Sequence, residues 1–178
     1  MKPFKCTSVL RRTLLSAASL ALLSLSQGAA AQAKEVLIGS TLPLTGVGAF
    51  YGESARNGAA LAVKHINAAG GINGTPLRVV FEDSKLEPKE AVTSLQKLID
   101  VHKIRLVMTA GSPVVLAQTP ISRERKVLLA NLAATSPRLR REGEYLINTH
   151  PLADTEAEAL ANMVAAEHKE YAILHVES

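Results

Sequence analysis

LPLTGVGAFYGESARNGAALAVKHINAAGGING, residues 42–74, is the stretch whose reading decides the fold. The apolar run VLI at 36–38 precedes it and reads as a strand. The stretch opens as a loop with glycines at 46, 48 and 52, continues as a helix over about 53–69, and stops at Gly70 and Gly71. Ala55, Gly58, Ala59, Ala62, Val63 and Ile66 recur at helical spacing and share one face. Most of them are small, which lets such a helix lie close on a sheet. A strand, a glycine-rich turn and a helix in that order form half of a βαβ unit. Turns of this kind hold ligands against a helix N-terminus.

The alternation continues downstream. Asn73 and Gly74 make a turn, and LRVVF at 77–81 reads as a second strand ending in Glu82 and Asp83. Pro88, with Glu87 before it, opens a helix whose buried stripe is Ala91, Val92, Leu95, Leu98 and Ile99. Residues 104–108 read as a third strand. Ser112 then Pro113 read as the N-cap and first residue of a helix to about 123. A fourth strand is expected at 127–131, a loop at 132–137, a solvated charged segment at 138–144 and a fifth strand at 145–149. After a connection at 150–153, Thr155 and Glu158 have capping-box spacing. Ala157, Leu160, Ala161, Val164 and Ala165 form the next apolar stripe, and 171–176 reads as a last strand. The implied fold class is α/β, a doubly wound parallel sheet covered on both faces. Ligands of such sheets sit beyond the carboxyl ends of the strands, here the loops 41–52, 82–87, 109–113 and 132–137.

Upstream, residues 1–33 read as an export signal. Lys2, Lys5, Arg11 and Arg12 give a positive start. Residues 13–25 are apolar but shorter than the roughly 20 residues a membrane span needs. Ala31, Gln32 and Ala33 form a cleavage site, so the mature chain is expected to begin at Lys34. Arg11 and Arg12 also resemble a twin-arginine signal, with Leu10 where a Ser or Thr is usual, which leaves the export route open between unfolded and folded. The chain has 20 Lys and Arg against 16 Asp and Glu, but four of the basic residues and none of the acidic ones lie in the leader. The remainder is balanced, which removes the case for nucleic acid or an anionic membrane as partner. The one cysteine, Cys6, leaves with the leader. Disulfide, thiolate and thiolate-metal chemistry are thereby excluded from what remains.

Other chemistries fit poorly. Gly46 and Gly48 begin a dinucleotide fingerprint, but its third glycine belongs at 51, which is Tyr51; Gly52 comes one residue late. The histidines at 65, 102, 150, 168 and 175 have no metal-ligand spacing, and no G-x-S-x-G elbow is present. Ser112 has no evident base. Anion capture fits better. The helix after Ser112 offers unpaired backbone donors and a partial positive charge. Ser112 and Thr135 can add hydroxyl hydrogen bonds to a carboxylate, and Tyr51 can give an apolar wall with a polar tip.

Here the sequence resembles the periplasmic binding proteins of the leucine/isoleucine/valine type, the solute receptors of ABC importers. The resemblance rests on PLTG at 43–46, Tyr51 and Gly52, Asn57 and Gly58, and above all INAAGGING at 66–74. Pro76, Leu77, Asp83, Pro88, Ala91, Val92 and AATSP at 133–137 continue it. It implies two α/β lobes joined by hinge strands with the solute between them. Residues 34–150 would be the first lobe, of type I periplasmic-binding-protein-like fold and incomplete without its C-terminal return. Residues 151–178 would start a second lobe, and the chain reads as a fragment or early-terminated form. By the same resemblance Tyr51, Ser112, Ala133 and Thr135 are ligand positions, with Ala133 acting through its backbone. The implied protein is a periplasmic, non-catalytic receptor for an amino acid, amide or carboxylate. It needs no cofactor or metal and delivers to ABC permease subunits. Two departures stand out: Pro113 has no N–H to offer a carboxylate, and Asn148 replaces an arginine often found in the fifth strand. A sensor feeding a signalling partner, or an enzyme on the same sheet, are the alternatives.

Overall fold

The structure is a computed structural model that describes residues 34–167 and Ala172. The expected leader at 1–33 and the expected strand at 171–176, Ala172 apart, lie outside the described residues. Five strands, β1 (Val36–Leu42), β2 (Leu77–Asp83), β3 (Leu106–Thr109), β4 (Leu128–Asn131) and β5 (Leu146–Asn148), form one sheet in the order β2-β1-β3-β4-β5. All pairings are parallel. Four helices connect or follow them: α1 (Ala49–Ala68), α2 (Pro88–Asp100), α3 (Ser112–Arg125) and α4 (Ala153–Glu167). The expected α/β sheet is therefore present, with a tight 3-10 turn at Gly46–Gly48 and another at Pro137–Arg141.

One face of the sheet is closed by α2 and α3. Pro88 occupies the first turn of α2, with Glu90 near the positive end and Lys97 near the negative end of the helix dipole. Of the predicted stripe, Ala91, Leu95, Leu98 and Ile99 are buried and Val92 is half-buried; the two leucines and Ile99 join Ile104, Val107, Val127 and Leu129 in the core. Gly39 of β1 lies beneath them, where an added Cβ would stand 2.9 Å from Leu98. Truncating Leu98 to Ala should cost about 2–5 kcal/mol. In α3, Pro120 lacks the N–H that would bond the carbonyl of Leu116, and the Thr119 hydroxyl lies 3.1 Å from that carbonyl, where its one hydrogen is shared with the Glu142 carboxylate at 2.8 Å.

The other face carries only α1 among the described residues. Asn67 fastens its C-terminal end by donating to the Leu77 carbonyl and accepting from the Leu77 N–H, at 2.8 and 2.7 Å. The expected wide stripe is narrower than its spacing suggested. Gly52 is buried and Ala55, Ala59 and Val63 are half-buried, whereas Gly58, Ala62 and Ile66 are exposed. Among the described residues no second helix flanks α1 on this face, and the covered line is the one resting on β1 and β2. The row Ser40, Met108, Ala130 and Ile147 runs across this face in register, and Ile147 at its end is 49% exposed.

Several boundaries differ from expectation. The first helix starts at Ala49, which draws Tyr51 and Gly52 out of the loop. The charged segment at 138–144 is more than solvated surface: Leu139 is buried with Val115, Ala134 and Leu152, and Glu142 accepts from the Thr119 hydroxyl. The last helix begins at Ala153, so Thr155 lies inside its first turn instead of capping it. Its apolar stripe is largely exposed, Leu160 at 57%, because no described element packs against it.

Candidate functional site

The order β2-β1-β3 puts a topological switch point between β1 and β3. From there the chain leaves β1 towards β2 on one side and β3 towards β4 on the other, opening a crevice at the carboxyl ends. Three loops meet that edge, and each is fixed by different chemistry.

The loop after β1 is fixed by Asp83. Its carboxylate, at the end of β2 beside Leu42, accepts the N–H groups of Leu44 and Lys85, each at 2.8 Å. It also accepts the Thr45 N–H at 3.4 Å and the Thr45 hydroxyl. Partial burial alone would raise the pKa of Asp83. The hydrogen bonds from the Thr45 hydroxyl and from the Lys85, Leu44 and Thr45 N–H groups outweigh it and hold the carboxyl below its ordinary 3.8. Gly52 then brings α1 against this loop: an added Cβ there would lie 2.0 Å from the Pro43 carbonyl oxygen. Tyr51, read from sequence as a loop residue, therefore stands in the first turn of α1. It is 75% exposed and meets Phe50 edge to face, with ring centroids 5.7 Å apart.

The loop after β3 turns into α3 through Gly111, which takes φ 91° and occupies the N-cap position expected of Ser112. A side chain at 111 would be strained by that φ, and its Cβ would stand 2.5 Å from Leu86. Ser112 is instead the first helical residue. The N–H groups of Ser112 and Val114 belong to the first turn, where no intrahelical acceptor exists, and Pro113 between them has none. Val115 already bonds back to the Gly111 carbonyl at 2.9 Å. The Ser112 hydroxyl accepts the Ser136 N–H at 3.2 Å, which ties this helix end to the loop after β4.

That third loop carries Ala133, exposed, and Thr135, half-buried, on either side of the buried Ala134. The Thr135 carbonyl accepts the Ala153 N–H at 2.8 Å, linking the loop to the start of α4. A hydrogen bond thus joins Ser112, at the start of α3, to the loop that carries Ala133 and Thr135. Tyr51 stands on a separate element at the same edge of the sheet.

Beneath the loops, one register row of the sheet is polar: Thr41, Thr109, Asn131 and Asn148. Gln118 of α3 closes over its first half. Gln118 Oε1 accepts from Thr109 Oγ1 at 2.8 Å, and Nε2 donates to Thr41 Oγ1 at 3.0 Å and to the Ala91 carbonyl at 2.9 Å. Asn131 ties the second half to Asn148 at 2.9 Å. Two residues back along the strands the same face is apolar, through Gly39, Val107 and Leu129. The sheet therefore changes from oily core to hydrogen-bonded platform just under the crevice. Reading the sequence missed Gln118 and Asn131 because each looks like an ordinary polar residue, one in the middle of a helix and the other at the end of a strand.

The family model described as periplasmic binding protein matches residues 35–178. The chain belongs to the periplasmic binding protein family. It is 32% identical over 136 residues to the leucine-, isoleucine-, valine-, threonine- and alanine-binding protein of Pseudomonas aeruginosa, covering 75% of this chain and 36% of that one. Among solved structures it is similar to the isoleucine complex of LivJ, the branched-chain amino acid transporter substrate-binding protein of Streptococcus pneumoniae. The TM-score there is 0.69 at 30% identity, over 75% of this chain and 39% of LivJ. It shares the fold of an ABC-transporter solute-binding protein from Rhodopseudomonas palustris in complex with 3,4-dihydroxybenzoic acid. That match has a TM-score of 0.67 at 21% identity and covers 74% of this chain and 36% of that one. Relatives in this family are solute-binding proteins of ABC transporters, and the chain spans little more than a third of their length. No helix among the described residues is long and apolar enough to cross a membrane.

Proposed function

We propose that this member of the periplasmic binding protein family supplies the first lobe, residues 34–150, of an exported receptor for an ABC importer. The chain from 151 onward begins a second lobe, and the solute is held between the two. The observation that carries the reading is the Ser136 N–H to Ser112 Oγ bond. It joins the N-terminus of α3 to the loop bearing Ala133 and Thr135 at the carboxyl ends of adjacent strands. Two sets of backbone donors and two hydroxyls then converge on one crevice, an arrangement suited to a carboxylate. The relatives' own ligands, branched-chain amino acids in one case and a dihydroxybenzoate in another, have a carboxylate in common. Pro113 subtracts one donor from the helix end, and Asn148 puts a neutral amide in β5. Both features favour an amino acid amide, a peptide-like compound or an aromatic acid over a plain aliphatic amino acid. Tyr51 supplies an apolar wall from the other side of the switch point.

The residues in this site bind and orient; none is arranged to donate or remove a proton from a reacting atom. The protein acts in the periplasm after removal of residues 1–33, and its macromolecular partner is the importer's permease. A thermal-shift screen of the complete protein against amino acids, amides and aromatic acids tests this. A true ligand at 100 times its Kd should add about 2.7 kcal/mol of stability. A flat response across the whole screen would contradict the proposal.

A further inference from the structure

We infer that Asn131 is the positioning residue of the ligand site: its carboxamide, not the sheet ladder, sets the loop that presents Ala133 and Thr135. The inference rests on the solute-binding reading above and adds to it the part that shapes the loop.

Asn131 is the last residue of β4 and is wholly buried. Its Oδ1 accepts the Ala134 N–H at 2.7 Å, and its Nδ2 donates to the Ala134 carbonyl at 2.7 Å and to Asn148 Oδ1 at 2.9 Å. Both backbone groups of Ala134 are thus bound by a single side chain. This pulls Ala134 inward, to 1% exposure, and leaves Ala133 exposed and Thr135 half-buried on either side of it. The backbone of Asn131 is pinned as well, since its carbonyl accepts the Thr149 N–H at 3.1 Å and the Thr149 hydroxyl at 2.8 Å. The start of the loop is held separately, by the Leu132 N–H on the Thr109 carbonyl.

Only a neutral amide fits this position. The side chain must accept from one N–H and donate to two oxygens at the same time. A carboxylate would set negative charge against the Ala134 carbonyl and Asn148 Oδ1. An apolar side chain would leave the buried N–H and carbonyl of Ala134 unpaired. In either case the loop loses the geometry in which its outward residues meet the N-terminus of α3.

The test is calorimetric titration of the complete protein with L-isoleucine and 3,4-dihydroxybenzoate, well below the melting temperature. Wild type, Asn131→Ala and Leu98→Ala are compared. Leu98 lies in the core away from the loop, and its truncation controls for simple destabilisation. Asn131→Ala should weaken binding by about tenfold or more, as the loss of a buried hydrogen-bond pair would. Leu98→Ala should stay within about threefold of wild type while melting at least as early. If Asn131→Ala does not fold, Asn131→Ser, which keeps one acceptor for Ala134, is judged by the same criterion. Binding by the Asn131 variant within about threefold of wild type would overturn the inference. An equal loss in Leu98→Ala would overturn it too. A wild type that binds neither these probes nor any compound of the thermal-shift screen would overturn the solute-binding reading itself, and this inference with it; where the screen returns a different ligand, that compound replaces the probes and the same criteria decide.

Discussion

Two loops at the same edge of the sheet are each shaped by one side chain, but by opposite chemistry. The loop after β1 is gathered by the Asp83 carboxylate, which is partly exposed, charged and only accepts. The loop after β4 is gathered by the Asn131 carboxamide, which is buried, neutral and both accepts and donates. The difference follows from what each must satisfy. Near Asp83 the free groups are all donors: two N–H groups of one loop, a hydroxyl and the N–H of Lys85. Near Asn131 they are one donor and two acceptors. A charge is tolerated in the first place because water still reaches it; in the second it would be stranded.

The comparison can be broken most severely at Asn131. Asn131→Asp should destabilise the fold by about 3 kcal/mol at neutral pH, because it buries a carboxylate against two oxygens. Its pH dependence should also invert. A carboxyl whose folded pKa is raised above the unfolded value favours the native state when protonated, so this variant should gain stability as pH falls. Denaturant melts between pH 8 and pH 5 would show the gain, and a flat or opposite trend would contradict the account.

Asp83→Asn should have a smaller effect, about 1–2 kcal/mol at pH 7, from donors left without an anionic acceptor. Here the wild type carries the pH dependence. The folded pKa of Asp83 lies below its ordinary 3.8, so its contribution is whole above that value and is lost as pH falls through the lowered pKa. Acid titration of stability should lose that component in the variant; an unchanged acid limb would sink the assignment.

The smallest effect is expected where the two halves of the ligand site join. Ser112→Ala removes the acceptor of the half-buried Ser136 N–H and should cost about 0.5–1 kcal/mol of stability. Its cost in ligand affinity should exceed its cost in stability. Equal effects on both would make Ser112 merely structural.

The sheet and its order of elements were legible because their causes are local. The stripe Ala91, Leu95, Leu98 and Ile99 repeats at helical spacing, and Pro88 marks the start of its helix. The α1 boundary was not legible: Gly52 reads as loop, whereas it is a helix residue that must lack a side chain to rest on Pro43. Ser112 reads as a cap because serine favours that place, yet Gly111 takes it with a positive φ that only the folded loop reveals. Ser112 and Thr135 stand out in the sequence as hydroxyls at strand ends that suit a carboxylate, whereas Ala133 is implied only by the family resemblance. That Ser112 bonds Ser136, 24 positions away, is a long-range fact with no spacing signal. Asn131 was invisible for a similar reason. A polar residue ending a strand is ordinary, and only the folded chain shows that it closes on Ala134 and reaches Asn148.

The central claim is that the loops after β3 and β4 together receive the ligand's carboxylate. Its most direct test is an amide NMR titration of the complete protein with L-isoleucine and 3,4-dihydroxybenzoate. Saturation should move the N–H resonances of Ser112, Val114, Ala133 and Thr135 most, with Tyr51 beside them. Saturable shifts confined to other parts of the sheet, with these amides unmoved, would contradict the account.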